Sequence, residues 1–525
     1  MARRLTPLSK LLITLAIVAG IFFLGRFLLQ STDLGDRLRD TAEQMEAESA
    51  DGERTGAANS GSSANADLIV QVFTWGGYAP GFYFNEGLKP NSRSRYQKEY
   101  GIKVKFELID DFNASRQAWK ADAVNLIGST ADALSTEMEG LGDYDPQIVM
   151  QVDWSRGGDA IVVARGINTA NDLRGKKVAF TPSTPSQTFL IKSLDAAGLK
   201  LSDIKPVDMP DNIAAAQAFK AKEVDAAVVW SPDDQDCVSN VPGAKVLQST
   251  KEASHIIADV FVAKKEFVDS NAELIRKFYE GWMKGAAELN GNAGNRKKAA
   301  KIFAEEIGVP QDFAELAIDN VRFTNHGDNQ NFFGLNSSYR GVTGDELYSS
   351  MGRRFESLGF ATANRPDWRR TAYTQAVTKT NLTGSMHTAE GQKTYTQPTE
   401  ADKVAPALSS KPISISFPTG QFRLDENAKT LIDLQFADVV KSYGAVRLRV
   451  EGNTDNVGGQ DMNKRLSMQR AKSVADYLKS TYGFPANRFI IVGNGPDKPV
   501  KGCEANASEA CRAKNRRTEL QLVSS

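Results

Sequence analysis

Residues 172–230 read DLRGKKVAFTPSTPSQTFLIKSLDAAGLKLSDIKPVDMPDNIAAAQAFKAKEVDAAVVW. This stretch decides the fold because its hydrophobic period switches repeatedly. Asp172-Leu-Arg-Gly-Lys-Lys-Val-Ala-Phe180 is a turn leading into a strand. Residues 187–197 read as a helix, 204–208 as a short strand, 213–222 as a helix and 226–230 as a buried strand. Strands alternating with helices imply an α/β architecture with mostly parallel sheets. Upstream, Leu68-Ile-Val-Gln-Val-Phe73 is a buried-strand run, and Ile102-Lys-Val-Lys-Phe-Glu-Leu108 alternates like a strand with one wetter face. Open sheets of this kind bind ligands beyond the carboxyl ends of their strands. Three such ends carry notable residues: Thr74-Trp75-Gly76-Gly77-Tyr78, Thr181-Pro182-Ser183-Thr184-Pro185-Ser186, and Trp230-Ser231-Pro232-Asp233-Asp234. The second has hydroxyl residues and Pro at a helix start, where backbone N–H groups suit an anion.

The chain has 525 residues, net charge zero, 41% apolar and 24% charged residues. That length is a prior for about three or four domains. The composition excludes disordered, collagen-like and polytopic membrane chains. Zero net charge argues against bulk attraction to nucleic acid, so no nucleic-acid partner is expected. Three His and three Cys are too few and too scattered for a metal or iron–sulfur cluster, and no cofactor is called for.

Residues 1–10 form a basic n-region with Arg3, Arg4 and Lys10. Residues 11–25 carry no charge, and with Arg26 at the outer interface the apolar segment extends over 11–29. It is read as an uncleaved transmembrane signal anchor, with a cleaved signal peptide as the alternative. This places the chain in a bacterial inner membrane, single-pass, with everything after residue 30 in the periplasm. Residues 30–66 end in a Gly/Ser/Ala/Asn-rich flexible linker. Residues 381–410 read as a second linker, between a large domain (67–380) and a small one (411–525).

The pieces Trp75-Gly-Gly-Tyr-Ala-Pro80, Asp172-Leu-Arg-Gly-Lys-Lys-Val178 and Asp225-Ala-Ala-Val-Val-Trp230-Ser-Pro stand in an order that resembles the substrate-binding proteins of phosphate/nitrate/sulfonate/taurine-type ABC transporters. The resemblance implies a type 2 periplasmic-binding-protein fold. Two α/β lobes would flank a cleft, with lobe two at about 160–255. It also implies solute-binding roles for Trp75, Tyr78, Ser129, Ser183, Thr184, Ser186 and Trp230. Asp110-Asp111-Phe112 and the run Asp153-Trp154-Ser155-Arg156-Gly157-Gly158-Asp159 bring carboxylates near the expected cleft. If they face it, Asp153 and its neighbours would hold an amine, a zwitterion or a cation beside Trp230; otherwise they cap turns.

In the small domain, residues 413–417, 446–452, 489–492 and 517–522 read as strands. Helices at 424–442 and 463–479 complete a βαβαββ order. The run Glu451-Gly-Asn-Thr-Asp-Asn-Val-Gly458, then Asn463-Lys-Arg-Leu-Ser467-Met-Gln-Arg470-Ala471, then Asn515-Arg516-Arg517 resembles the OmpA-like peptidoglycan-binding domain. That resemblance assigns Asp455 to the ammonium and Arg470 to the carboxylate of diaminopimelate, the latter in a forked geometry. Thr454 and Asn463 would be neighbouring hydrogen-bond groups, and Asn515 and Arg516 would support the site. The family's usual His before Thr-Asp is Asn453 here, and Pro418 stands where some relatives place an acidic ligand contact. Cys503 and Cys511 are expected to close a loop as a disulfide in an oxidising compartment, leaving Cys237 over.

Three functional classes follow. The first is an anchored binding and sensing protein that captures a small solute and docks on peptidoglycan, with an envelope or transporter protein as a candidate partner. The second is a membrane-to-wall tether or envelope scaffold with a vestigial cleft. The third is an enzyme on the binding-protein fold, for which Cys237 or the Asp cluster are the candidate reactive groups. No nucleophile, His and carboxylate lie near one another in sequence, and His255, His326 and His387 stand alone, so a binding protein rather than an enzyme is expected.

Overall fold

The structure is a computed structural model that describes residues 66–415, 417 and 420–524. The expected anchor at 11–29, nearly all of the linker after it, and Pro418 lie outside the described residues. Among those described, no helix is long and apolar enough to cross a membrane.

The chain starts lobe one with β1 (Leu68–Val72), β2 (Val104–Leu108), β3 (Leu126–Thr130) and the long β4 (Pro146–Ser155). It then crosses into lobe two, built from β5 (Asp159–Val163), β6 (Lys177–Phe180), β7 (Lys205–Asp208), β8 (Ala226–Trp230) and β9 (Lys245–Ser249). It returns to lobe one through β10 (Ala258–Lys264) and β11 (Val321–Phe323). The lobe-one sheet has the order β11-β4-β10-β3-β1-β2, and the lobe-two sheet β7-β6-β8-β5-β9. β4, β5, β8 and β10 are buried almost throughout, as expected for strands covered on both faces. The two crossings, β4 to β5 and β9 to β10, form the hinge. Asp153, Asp159 and Asp259 sit there because each lies at the hinge end of its strand.

The C-terminal sheet contains β12 (Ala407–Ile413), β13 (Arg447–Asn453), β14 (Phe489–Gly495) and β15 (Thr518–Val523) in the order β12-β15-β13-β14. Helix Gln460–Tyr482 connects β13 to β14, which pair in parallel. The first strand departs from expectation. Alternation placed it at 413–417, whereas β12 ends at Ile413. Its partner β15 begins at Thr518, opposite Ile413, so no ladder remains beyond that point. Ile413 and Ile415 are still buried at 7% and 4% exposure: the alternation reported burial correctly but not pairing. Helix Glu400–Val404 and the first part of β12 fall within the stretch read as linker.

The C-terminal domain packs on lobe two. One apolar cluster contains Phe189, Leu190 and Leu194 of helix Pro185–Ala196 together with Phe436, Val440 and Tyr443. The Tyr443 hydroxyl lies 3.3 Å from Ser193 Oγ and 3.1 Å from Gln248 Oε1. Lys192, 4% exposed, donates to both oxygens of Asp438 at 2.8 Å.

Candidate functional site

The cleft is closed by contacts between the lobes. Thr136 Oγ1 donates to the Ser183 carbonyl (3.0 Å), and Asn320 Nδ2 donates to Ser231 Oγ (3.0 Å). The rings of Phe112 and Trp230 meet at 6.5 Å, edge to face.

Behind these contacts, at the hinge, four carboxyl groups converge. Asp259 of β10 is the direct cross-strand partner of Asp153 on β4 and of Thr130 on β3. Asp159 opens β5 opposite Trp230. Asp132 follows β3 and accepts weakly from the Ala258 N–H (3.4 Å). Asp132 and Asp153 are fully buried and Asp159 is 4% exposed, while Asp259 keeps some accessible surface. Burial pushes Asp132 up to about 6 and Asp159 up to about 7. Burial pushes Asp153 up to about 7, and burial and then repulsion from Asp153 raise Asp259 well above the carboxylate range. Trp75 Nε1 donates to Asp153 Oδ2 (3.0 Å) and Ser155 Oγ to Asp159 Oδ2 (3.2 Å). Glycine makes this approach possible. A Cβ on Gly77 would lie 1.6 Å from Asp153 Oδ2, and one on Gly158 would lie 2.1 Å from the Trp75 ring.

The sequence-predicted cleft residues divide. Trp75, Asp153 and Trp230 reach the hinge cluster. Tyr78 backs it from the core, 1% exposed and stacked on Phe261, with its phenol pushed well up by burial and then by Asp259 and Asp153. Ser186 is fully buried, accepting from Trp230 Nε1 (3.0 Å) and donating to Asn212 Oδ1 (3.1 Å), so it fixes the Trp230 ring. Thr184 Oγ1 donates to the Thr181 carbonyl (2.7 Å), and the Ser183 N–H is taken by Gln187 Oε1 (2.7 Å). Ser129 donates to Glu137, which is held bidentate by Arg116, so it belongs to a structural ion pair. Asp110 accepts from Thr74, and Asp111 caps helix Phe112–Lys120. Asp110 thus holds the end of β1 and Asp111 a helix start, whereas Asp153 and Asp159 stand in the hinge cluster. Asp259 escaped sequence reading; its signal was one carboxylate inside the apolar run ADVFVAK. Cys237 is buried, with its thiol pushed up to about 11 by burial, which opposes a nucleophilic role. His255 packs on Trp154, and burial followed by Arg156 drives it down to about 3. His326 Nδ1 lies 2.8 Å from the Tyr279 hydroxyl.

In the C-terminal domain, Asp455 lies just past the end of β13 and Arg470 projects from helix Gln460–Tyr482; each is 8% exposed. They are electrostatic neighbours but, among the described residues, not an ion pair. Asp455 accepts from Arg516 Nη1 (2.6 Å) and from the Val457 N–H (3.1 Å). Arg470 donates Nε to the Gln421 carbonyl (3.1 Å) and stacks its guanidinium 4.8 Å from the Phe417 ring centre. Its terminal nitrogens hold no hydrogen bond among the described residues. Asn463 Nδ2 ties the Val457 carbonyl (3.0 Å), and Thr454 Oγ1 is buried without a protein partner. Asn515 is fully buried and ties Val500, Cys503 and Asn506 together, so it supports the loop closed by the Cys503–Cys511 disulfide.

Comparison with known proteins gives two domain matches. Residues 416–516 match the OmpA family, and residues 156–292 match the family described as NMT1/THI5 like. A protein of Brucella abortus (strain 2308) is 29% identical over 121 residues, 23% of this chain and 38% of its own length. The peptidoglycan-binding protein ArfA of Mycobacterium bovis is 42% identical over 84 residues, 16% of this chain and 24% of its own. The match thus spans well under half of each relative. Among solved structures, the periplasmic aliphatic sulphonate binding protein SsuA from Escherichia coli aligns at 18% identity and TM-score 0.47, over 59% of this chain and 98% of its own. The chain is a fusion of an NMT1/THI5-like segment, lying within its two-lobed α/β body, with an OmpA family domain at its C-terminal end.

Proposed function

We propose that the chain is an envelope protein that captures a small solute between its lobes and holds peptidoglycan through its OmpA family domain. The apolar segment at 11–29 would anchor it in the inner membrane. The observation that carries the wall-binding reading is the state of Asp455 and Arg470. The two charges are brought close and buried, yet are not joined to each other. A structural ion pair would have closed this gap; a ligand carrying an ammonium and a carboxylate on one carbon would bridge it. Arg516 steadies one Asp455 oxygen, and Phe417 supports the flat face of Arg470. The likeness of part of this domain to a protein named as peptidoglycan-binding supports the same partner. For the body, two lobes joined by two crossings and closed over a polar hinge support capture rather than turnover, as does the buried thiol of Cys237.

Two measurements test this. The full chain should co-sediment with purified peptidoglycan and be displaced by free diaminopimelate. Asp455→Ala and Arg470→Ala should each remove that binding, whereas Arg470→Lys, which keeps charge but loses the fork, should retain a weak remainder. Equal pelleting of the alanine variants would sink the site assignment. Native mass spectra of the full chain, purified without refolding, should show a small mass absent from a denatured control. A chain that stays empty even after incubation with periplasmic extract would count against solute capture.

A further inference from the structure

Resting on the solute-capture reading, the structure also speaks to the class of solute. We propose that Asp132, Asp153, Asp159 and Asp259 form the recognition centre of the cleft. They would take a small organic cation bearing N–H donors, a primary ammonium or diammonium compound, rather than an anion.

Four observations carry this. First, among the described residues Asp132 Oδ2, Asp153 Oδ1 and Asp159 Oδ1 are buried without a close, well-directed hydrogen-bond donor. Buried acceptors left so are destabilising, and native interiors rarely tolerate several in one place. Second, among the described residues none of the four carboxyl groups forms an ion pair with Lys, Arg or His. The nearby Arg116 is already held by Glu137. Third, the hydroxyls of Thr130 and Thr188 are buried, turn toward Asp132, and among the described residues engage no other group. Thr130 comes from lobe one and Thr188 from lobe two, so the polar lining is assembled only when the lobes meet. Fourth, Asp259 keeps accessible surface, and two indoles stand at the cluster: Trp75 directs its N–H at Asp153, and Trp230 lies opposite Asp159 across the ladder.

The helix start at Thr184–Pro185 argues for an anion, but magnitude decides against it. A helix N-terminus presents about half a positive charge. Up to four carboxylates face the same interior. An anion there would meet net repulsion; an ammonium with its N–H donors would satisfy the orphaned oxygens.

The test is calorimetric titration of the full chain with methylammonium, n-butylamine, putrescine and spermidine, set against nitrate and methanesulfonate. At least one amine should bind saturably at one site, and Asp159→Asn should weaken it tenfold or more without lowering the urea midpoint. Failure of all four amines overturns the assignment. Amine binding that Asp159→Asn leaves unchanged also overturns it, because the site would lie elsewhere. Saturable binding of nitrate or methanesulfonate without amine binding overturns the ligand class and leaves solute capture standing. Silence from every probe, together with an empty native mass spectrum, removes both.

Discussion

At the scale of single residues, the hinge carboxyls make folding stability depend on pH. An Asp in the unfolded chain titrates near 3.9; Asp159 titrates at about 7 and Asp132 at about 6 in the fold, because burial disfavours the charged form. Their folded-state values are raised, so the protonated groups favour folding below pH ~4. That contribution is lost as pH climbs through the folded values. The unliganded protein should therefore lose stability between about pH 4 and 7, by up to about 1.4 kcal/mol per pH unit for each carboxyl protonated only in the folded state. Asp159→Asn removes one titrating group and should flatten that slope in urea midpoints measured across the range. An unchanged slope would mean that Asp159 is ionised in the fold. The same residues mark a limit of sequence reading. Asp153 and Asp159 were visible in a Trp/Ser/Gly-rich run, but whether a carboxylate caps a turn or stays unpaired depends on neighbours far along the chain. Thr74 engages Asp110 from 36 residues away, and no local pattern distinguishes that from Asp259 meeting Asp153 across a ladder.

Secondary-structure elements were more legible, because period and burial are local. Helix Pro185–Ala196 and β8 fall within two residues of their sequence-predicted bounds, and β6 lies within the stretch read as a turn leading into a strand. What period cannot say is which element covers which. The helical segment ending at Ser442 and helix Pro185–Ala196 each show one apolar face, and in the fold those faces cover one another. Two kinds of contact hold them together, and their sizes differ. The Tyr443 ring is fully buried and its hydroxyl reaches Ser193 and Gln248. Removing it leaves a cavity and unmet polar groups, so Tyr443→Ala should cost about 3–5 kcal/mol. Lys192 pairs with Asp438, whose side chain is 53% exposed. Water can take over that carboxylate, so Lys192→Ala should cost only about 1 kcal/mol. Urea denaturation of the two variants checks the order. A larger loss for Lys192→Ala would mean that the ion pair, not the apolar cluster, seats the OmpA family domain.

For the molecule as a whole, the sequence presents two modules and a linker, while the fold ties them together. Past residue 380 the chain is held at several points. Glu390 takes Arg156 of the hinge, and the Tyr395 hydroxyl reaches the Gly444 and Val446 carbonyls. Asn171 of lobe two exchanges two hydrogen bonds with Ser410 of β12. Lys441 reaches Glu346 of lobe one (2.6 Å), and the His255 N–H donates to the Ser442 carbonyl. The OmpA family domain thus shares a core with lobe two but meets lobe one through polar contacts alone: the Lys441–Glu346 pair, and a strap at 388–396 that bonds Asp328 and Arg322 of lobe one and Gly444, Val446 and Arg447 of the domain. Any opening of the hinge should therefore carry the OmpA family domain along with lobe two and strain or break these contacts with lobe one. The same asymmetry predicts what dissection would do. A chain cut after residue 406 would uncover the buried Lys192, Ser193 and Gln248 together with the apolar residues beside them. It should show a lower urea midpoint than the full chain and self-associate in size-exclusion chromatography, because an uncovered apolar face seeks another cover. In calorimetry, lobe two and the OmpA family domain of the full chain should melt as one transition, since neither keeps its core when the other unfolds. A monomeric fragment with an unshifted midpoint would return the two segments to independent modules, and wall attachment could then report nothing about the state of the cleft.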